Sequence, residues 1–519
     1  MRSTRRTITI AIVAAGALAL GNLAGPAGAA TGTPATNAPT PPSPQTTQTT
    51  QTTSSAPRAV SGRTPFSGCT AGGTPSSTLF AGAEVEPWIA VNPRDPRNIV
   101  AYYQQDRWSD GGARGLVASV TRDGGAHWKQ VVVPGLSQCS GGTFERASDP
   151  GLSFAPNGDL YEISLSFNVS DFGNAILASK STDGGLHWSR PAILKSDTAE
   201  ALQNDKELIT ADPTSSQRVY AVWDRTNEEG GQPVWFARTI NGGRGWEPAK
   251  IIYDPTPRFT ISNQIVVQPD GTLIDVFFEG PAGAAEEPEH PFARPHPTAT
   301  PLQGDEDNLI RIIRSTDHGR TWSAPITVAR IDPADIVEPD GRRPLRTADI
   351  VPDIAVDRHT GRLYIVWQDG RFTQSGAAIM LTSSGDGGRT WTAPVRVSKT
   401  PDSAPQGNGQ AFTPMVDVAE RGRIGVTYYD FRRDTAAPGA LTDYWIVTCD
   451  GPRCIRDGAP WRERHVGGSF DVTLAPDAGG LFLGDYMGLD HAGSTFRSVF
   501  SMTRPIEANQ QDEFVAAIR

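Results

Sequence analysis

Thr121-Arg-Asp-Gly-Gly-Ala-His-Trp128 is the first of five copies of one short pattern. The others are Ser181-Thr-Asp-Gly-Gly-Leu-His-Trp188, Thr239-Ile-Asn-Gly-Gly-Arg-Gly-Trp246, Ser315-Thr-Asp-His-Gly-Arg-Thr-Trp322 and Ser384-Gly-Asp-Gly-Gly-Arg-Thr-Trp391. Each lies between two runs of β character. Asp or Asn accepts hydrogen bonds from the turn backbone, Gly supplies positive φ, and Trp plugs the turn onto the sheet, so each copy predicts a hairpin. The third residues, Asp123, Asp183, Asn241, Asp317 and Asp386, stand 60, 58, 76 and 69 positions apart. A hairpin recurring at such intervals marks a repeat architecture with one small sheet per copy. These five residues, and His127, His187 and His318 beside them, are read as turn staples rather than as chemistry.

A second repeat runs between the first. An apolar run, a Pro or Asp-Gly turn and a second run rich in Tyr and Trp occur at 86–93 with 99–103, 149–156 with 160–163, 208–213 with 219–223 and 265–269 with 273–277. Further copies are 354–357 with 363–367, 415–418 with 424–428 and 486–489 with 496–500. Continuous apolar runs of this length suit strands covered on both faces. The short pattern resembles the Asp-box, or bacterial neuraminidase repeat, of the sialidase superfamily of β-propellers. The expected fold is therefore all-β, a sialidase-like propeller of four-stranded blades, seven by repeat count with six possible. The sixth repeat lacks a box and carries Cys449 to Cys454 in its place. The seventh shows two strands and 514–518, so a strand near 78–85 is expected to close the ring and remove the free edge.

Composition limits the setting. Arg2, Arg5 and Arg6, an apolar run over 8–20 and Ala27-Gly28-Ala29 have the order of a secretory signal peptide at 1–29, too short for a bilayer-spanning anchor. Residues 30–64 read as a Thr/Pro/Ser/Gln-rich linker expected to be disordered, and 65–519 as one domain. The protein is expected to be secreted, extracellular or associated with the cell wall, without membrane insertion once the leader is removed, and monomeric. Losing the three leader arginines takes the net charge from −10 to −13, which argues against nucleic acid as a partner. Four cysteines suit an oxidising compartment. Of their three pairings, Cys449 with Cys454 across one short loop and Cys69 with Cys139 is favoured over the other two and over a zinc site. The acidic, proline-rich stretch 281–308 is an insertion, either a flap or an unstructured loop.

If the boxes occupy one rim, the starts of the first strands and the ends of the second strands share the other. The starts supply Glu86, Asp149, Asp205, Lys206, Glu207, Asp353, Asp485 and Tyr486. The second-strand ends supply Asp106-Arg107, Asp224-Arg225, Asp369-Gly-Arg371 and Asp430-Phe-Arg432-Arg433. The recurring Asp-Arg pairs could simply brace neighbouring sheets. Convergent carboxylates, arginines and aromatics also suit a polar ring-shaped ligand, so Arg107, Glu86, Asp205, Lys206, Asp353, Arg371 and Arg432 are candidate substrate contacts.

The resemblance to sialidases implies three arginines for a substrate carboxylate, an Asp acid/base and a Tyr nucleophile activated by a carboxylate. Asp106-Arg107-Trp108-Ser-Asp110 resembles the family stretch with a pocket arginine followed by the catalytic Asp, which casts Asp110 as acid/base. Asp485-Tyr486 resembles the nucleophile site, with Asp149, Glu86 or Asp205 as activating partners. The chain departs from the family elsewhere. Val85-Glu86-Pro87-Trp88 stands in place of the first arginine motif, Ser262-Asn263-Gln264 in place of the activating Glu, and Glu279 in place of another arginine. A sialate carboxylate would meet repulsion there. The sequence thus points to an exported, exo-α-sialidase-like glycoside hydrolase whose specificity for sialic acid is in doubt. A non-catalytic glycan- or protein-binding propeller and a polysaccharide lyase using Tyr486 and Lys206 are the alternatives. No cofactor is required, and calcium on the acidic rim is possible.

Overall fold

The computed structural model describes residues 56–282, 308–347, 349–373, 376–402, 407–505 and 510–519. The expected leader, most of the expected linker and the body of the 281–308 insertion lie outside the described residues. Within them, every regular element is a strand or a single turn of 3-10 helix.

Apart from a small extra sheet, the strands fall into seven antiparallel sets, of which sheets 7, 1 and 2 are linked through the pairs Ala83 with Gln511 and Ala113 with Ala147 into one twelve-stranded sheet. Sheet 1 is Leu79–Val91, Ile99–Trp108, Ala113–Thr121 and Lys129–Val132, and sheet 2 is Arg146–Phe154, Leu160–Phe167, Asn174–Ser181 and Ala192–Asp197. Sheet 3 is Asn204–Ala211, Val219–Arg225, Val234–Thr239 and Lys250–Tyr253, and sheet 4 is Phe259–Val267, Leu273–Gly280, Leu309–Ser315 and Ile326–Arg330. Sheet 5 is Asp353–Val356, Leu363–Asp369, Ala378–Ser384 and Val395–Arg396, and sheet 6 is Ala411–Ala419, Arg423–Asp430, Leu441–Asp450 and Arg462–Asp471. Sheet 7 is Gly488–Ala492, Thr495–Thr503, Gln511–Ile518 and Arg58–Ala59. The first strand of each sheet lies against the first strand of the next, and that of sheet 7 lies against that of sheet 1. The apolar clusters sit at these junctions. Tyr161, Ile163 and Leu165 of sheet 2, for example, pack with Ile209, Ala221 and Trp223 of sheet 3.

The expected closing strand is met in part: Ala83, within 78–85, pairs with Gln511 of sheet 7 at a single position, while the rest of the closure differs. Leu79–Val91 is the first strand of sheet 1, and the outer strand of sheet 7 is Arg58–Ala59, inside the stretch read as linker, with Arg58 opposite Val515 and Ala59 opposite Phe514. Val60 follows with its N–H on the Glu513 carbonyl at 2.8 Å, and Ser61 Oγ donates to Asp512 at 3.0 Å. An edge strand is held by backbone bonds, so it needs no apolar pattern to declare itself.

Each box is a knot of three hydrogen bonds. In the first, Thr121 Oγ1 donates to Asp123 at 2.8 Å and accepts the Gly125 N–H at 3.0 Å, while Asp123 accepts the His127 N–H at 2.9 Å. The same set recurs around Asp183, Asn241, Asp317 and Asp386. In the second box burial opposes ionisation of Asp183, but its bonds to the His187 ring and backbone prevail and hold the carboxyl down to about 2. The five box tryptophans are half-buried rather than buried. Each covers the seam between its own sheet and the preceding one, as Trp322 does by meeting Phe236 edge-on at 5.5 Å.

In sheet 6 the Cys449–Cys454 disulfide occupies the box position. There Trp461, which is buried, donates to the Cys454 carbonyl at 3.2 Å and plugs the seam with sheet 5. Cys69 is bonded to Cys139. A small extra sheet joins Ile336–Val337, Pro344–Arg346 and Leu481–Phe482, so the segment before sheet 5 is tied to the segment before sheet 7.

Candidate functional site

In five sheets the first strand carries a bulge at the same level. Glu86 and Pro87 stand opposite one residue of the neighbouring strand, and so do Asp149 with Pro150, Lys206 with Glu207, Ser262 with Asn263 and Thr413 with Pro414. The leading residue of each bulge has φ between 48° and 60°, a left-handed conformation uncommon for L side chains. Bulges re-aim side chains, and strain held at several equivalent positions marks a place the fold over-determines. Sheets 5 and 7 reach the same level with Val351-Pro352 and Tyr486-Met487, just ahead of their first strands.

These turns converge on a cavity of about 390 Å³, counting space open to solvent, whose lining includes Trp88, Lys206, Glu207, Ser262, Asp353 and Tyr486. Lys206 is its electrostatic hub. The ammonium meets Asp485 at 2.7 Å, Asp149 at 3.4 Å and Glu86 at 3.7 Å. Burial works against the charge, but Asp149, Asp485 and Glu86 outweigh it and hold the ammonium well above the usual lysine range. Arg346, delivered by the small extra sheet, grips both oxygens of Asp485 at 3.1 and 2.6 Å.

The uncharged side of the site is equally defined. The Tyr486 ring meets Trp88 edge-on at 5.7 Å, and Trp88 is anchored by its indole N–H on the Leu152 carbonyl at 3.1 Å. Burial, then the charges of Glu86 and Asp149, push the Tyr486 phenol well up. Burial also raises Asp353 to about 7, although its carboxylate accepts the Val416 N–H at 2.6 Å. Glu207 is raised well above the ordinary range, first by burial and then by Asp149.

Of the residues singled out in the sequence, Glu86, Asp149, Lys206, Asp353 and Tyr486 are brought together here. Asp485 joins them through Lys206, in the non-strand segment 484–487 that also carries Tyr486. Asp205 is half-buried and accepts the Lys206 N–H at 2.9 Å. Arg107 stands behind the wall. It donates to Gln104 Oε1 at 2.9 Å, Gln104 in turn donates to Glu86, and the guanidinium lies 4.8 Å from the centre of the Phe482 ring, which Arg346 also covers at 4.6 Å.

Other candidates are placed elsewhere. Asp110 is ion-paired at 2.9 Å with Arg146, whose guanidinium lies over Trp108 at 5.0 Å, and Asp110 is not among the residues lining the cavity. Arg371 folds back on Asp369 and Arg432 on Asp430 and Glu463, because an Asp-x-Arg spacing at a strand end lets the guanidinium reach its own neighbour. Each of those aspartates also accepts an indole N–H, from Trp367 and Trp445, at 2.9 Å. Glu279 is held by Arg258 at 2.8 Å and Arg311 at 3.1 Å. Arg346 had no sequence signal, since its sheet forms from short, distant segments. Glu207 stood in the row of strand starts, and its one distinction was a carboxylate where sheets 1, 2 and 6 have proline.

Calcium was left open for the acidic rim. Of the rim acids, Glu86, Asp149 and Asp485 are ion-paired with Lys206 and Asp485 also with Arg346, and among the described residues the one group with cation-holding spacing is Asp417, Asp490 and His491, on the first strands of sheets 6 and 7.

No known protein family and no curated protein matches the chain. Solved structures similar to it include a Hadza microbial sialidase, at 17% identity over 81% of this chain and 76% of that one, with a TM-score of 0.43. The α-L-arabinofuranosidase Arb93A from Fusarium graminearum is similar at 11% identity over 84% of this chain and 93% of that one, with a TM-score of 0.43. The intramolecular trans-sialidase from Ruminococcus gnavus is similar at 12% identity over 85% and 94%, with a TM-score of 0.40. No residue role follows from likeness at this level.

Proposed function

We propose that the protein is an exported glycan-active enzyme, a glycoside hydrolase whose seven sheets are the blades of a sialidase-like β-propeller. The ring of neighbouring first strands supports the architecture. The observation that carries the activity is the convergence of bulged strand starts on one cavity, where Tyr486 lies among buried carboxyls. In this reading the Tyr486 oxygen attacks the anomeric carbon while its proton passes to Glu86 or Asp149, whose charges bear most on the phenol. Asp353, raised to about 7, gives its proton to the departing glycosidic oxygen and takes one from the water that later frees the sugar.

The lining does not suit sialate. Among the described residues, Lys206 is the cation lining the cavity and Arg346 stands behind it on Asp485; both are engaged by carboxylates, so they do not form a three-arginine clamp. The same engagement of Lys206 disfavours a lyase, which needs a cation to neutralise a uronate. Turnover of a panel of aryl glycosides and polysaccharides by the purified mature protein tests the proposal. Release of a neutral or basic sugar, abolished by Tyr486→Phe, supports it. Efficient release of sialate overturns the specificity, and inactivity against every glycan overturns the function.

A further inference from the structure

Glu207 is the second residue of the sheet 3 bulge and lines the cavity. Its side chain is out of reach of solvent, with the residue 2% exposed, and neither carboxyl oxygen is hydrogen-bonded to another residue, only its own backbone N–H lying near. A carboxyl left so is expensive in a folded protein unless something else completes it. Asp275 shares the condition but lines no part of the cavity.

The surroundings say what would complete it. Glu207 is faced by Asp149 of sheet 2, by Asp205 and Lys206 of its own strand, by Tyr102 of sheet 1 and by Tyr486 ahead of sheet 7. Glu86, Asp353 and Asp485 stand around the same space. Five carboxyls in addition to Glu207 therefore stand with two cations, Lys206 and Arg346, which already bridge Glu86, Asp149 and Asp485. An anionic ligand is repelled. A neutral one leaves Glu207 holding its own proton. A ligand ammonium supplies three donors and lets Glu207 ionise against a charge in a low-dielectric site.

We propose that the cavity takes a sugar bearing a free, protonated amine, with Glu207 as the partner of that ammonium. This rests on the glycan-active reading and names its substrate class. The exchange balances as one proton released to solvent per sugar bound, since a protonated carboxyl becomes a carboxylate paired with the ammonium. Affinity then rises with pH until the amine itself loses its proton. The Trp88 and Tyr486 rings offer apolar and π surface to the ring of the same ligand.

Calorimetric titration of the mature protein with methyl glycosides of glucosamine and galactosamine, in both anomeric forms, tests this against their N-acetyl and 2-hydroxy counterparts. The expected result is that one amine binds at least about tenfold tighter than both counterparts, the scale set by leaving a buried polar group unpaired. Titrations in buffers of different ionisation enthalpy should show release of about one proton, as linkage requires. Glu207→Gln should bring the three affinities together and abolish the proton release, with its fold checked by thermal unfolding. Equal or tighter binding of the N-acetyl or 2-hydroxy sugar to the unaltered protein overturns the inference whether or not the variant folds, and leaves the glycosidase reading standing. A preference that persists in Glu207→Gln also overturns it. If no glycoside binds and no glycan is cleaved, both fall.

Discussion

Lys206 and Asp485 meet at 2.7 Å across 279 positions of sequence. The pair ties the bulge of sheet 3 to the segment that leads into sheet 7, and Arg346 clamps the far side of the same carboxylate. Half of the site thus depends on one buried ammonium.

Lys206→Met should therefore be costly. It removes the ammonium that Glu86 and Asp149 face in the interior, while Asp485 keeps Arg346. Removing one partner of a buried ion pair typically costs about 3–5 kcal/mol. Urea denaturation near neutral pH should show a loss of that size. The loss should shrink on acidification, as the carboxylates that lost the ammonium take up protons. A variant as stable as the parent at pH 7 would show that the network does not hold the sheets together.

For the chemistry, Tyr486→Phe and Asp353→Asn should each cut turnover of the best substrate by about a hundredfold or more, with packing nearly unchanged. Because Asp353 must hold a proton to act as the acid and its carboxyl is raised to about 7, activity should fall as pH climbs past neutrality. Asp110→Asn should disturb the Arg146 pair and leave the pH profile in place. A profile abolished by Asp110→Asn would return the acid role to Asp110.

Asp353 also makes a prediction about stability. Its folded value is raised, so its contribution is present below the unfolded value and is lost as pH rises to about 7. Asp353→Asn removes that loss. Between about pH 4 and 7 the variant's unfolding free energy should vary less than the parent's, gaining relative to it toward pH 7. Parallel profiles would mean that Asp353 does not titrate in this range.

The seam between sheets 6 and 7 is sensitive at higher pH. Burial opposes the His491 charge, but the Asp417 carboxylate at 2.7 Å prevails and raises the imidazole to about 9. A raised histidine stabilises fully below its unfolded value, and this is lost as pH rises through the folded one. Denaturation midpoints should fall between about pH 6.5 and 9 in the parent and stay flatter in His491→Ala.

The box tryptophans should matter less than buried ones. Trp391→Ala should cost about 2 kcal/mol, below the 3–5 kcal/mol typical of a large aromatic in a core, because the ring is half-exposed. Trp461→Ala, buried on the Cys449–Cys454 turn, should cost more. Thermal unfolding of the two variants side by side decides the order.

The five turns, the strand pairs between them and the charged row of strand starts were all legible in the sequence. Each depends on contacts within a few residues: a Ser or Thr hydroxyl and an Asp closing one turn, or an apolar run that must be covered. Glu86, Asp149, Lys206, Asp353 and Tyr486 could be named because they share one position in a repeated unit. Only the tertiary structure decided which of that row face one another. The bulges at Glu86, Asp149 and Lys206 turn side chains inward, and the way the seven strand sets lie against one another sets their distances. It also brought Arg346 in on a small sheet of distant strands, sent Asp110 to Arg146, and made an edge strand of Arg58–Ala59, which has no apolar pattern. Those outcomes rest on backbone pairing and charge contacts between segments far apart in sequence, 36 positions for Asp110 and Arg146 and 139 for Arg346 and Asp485, and neither leaves a periodicity to read.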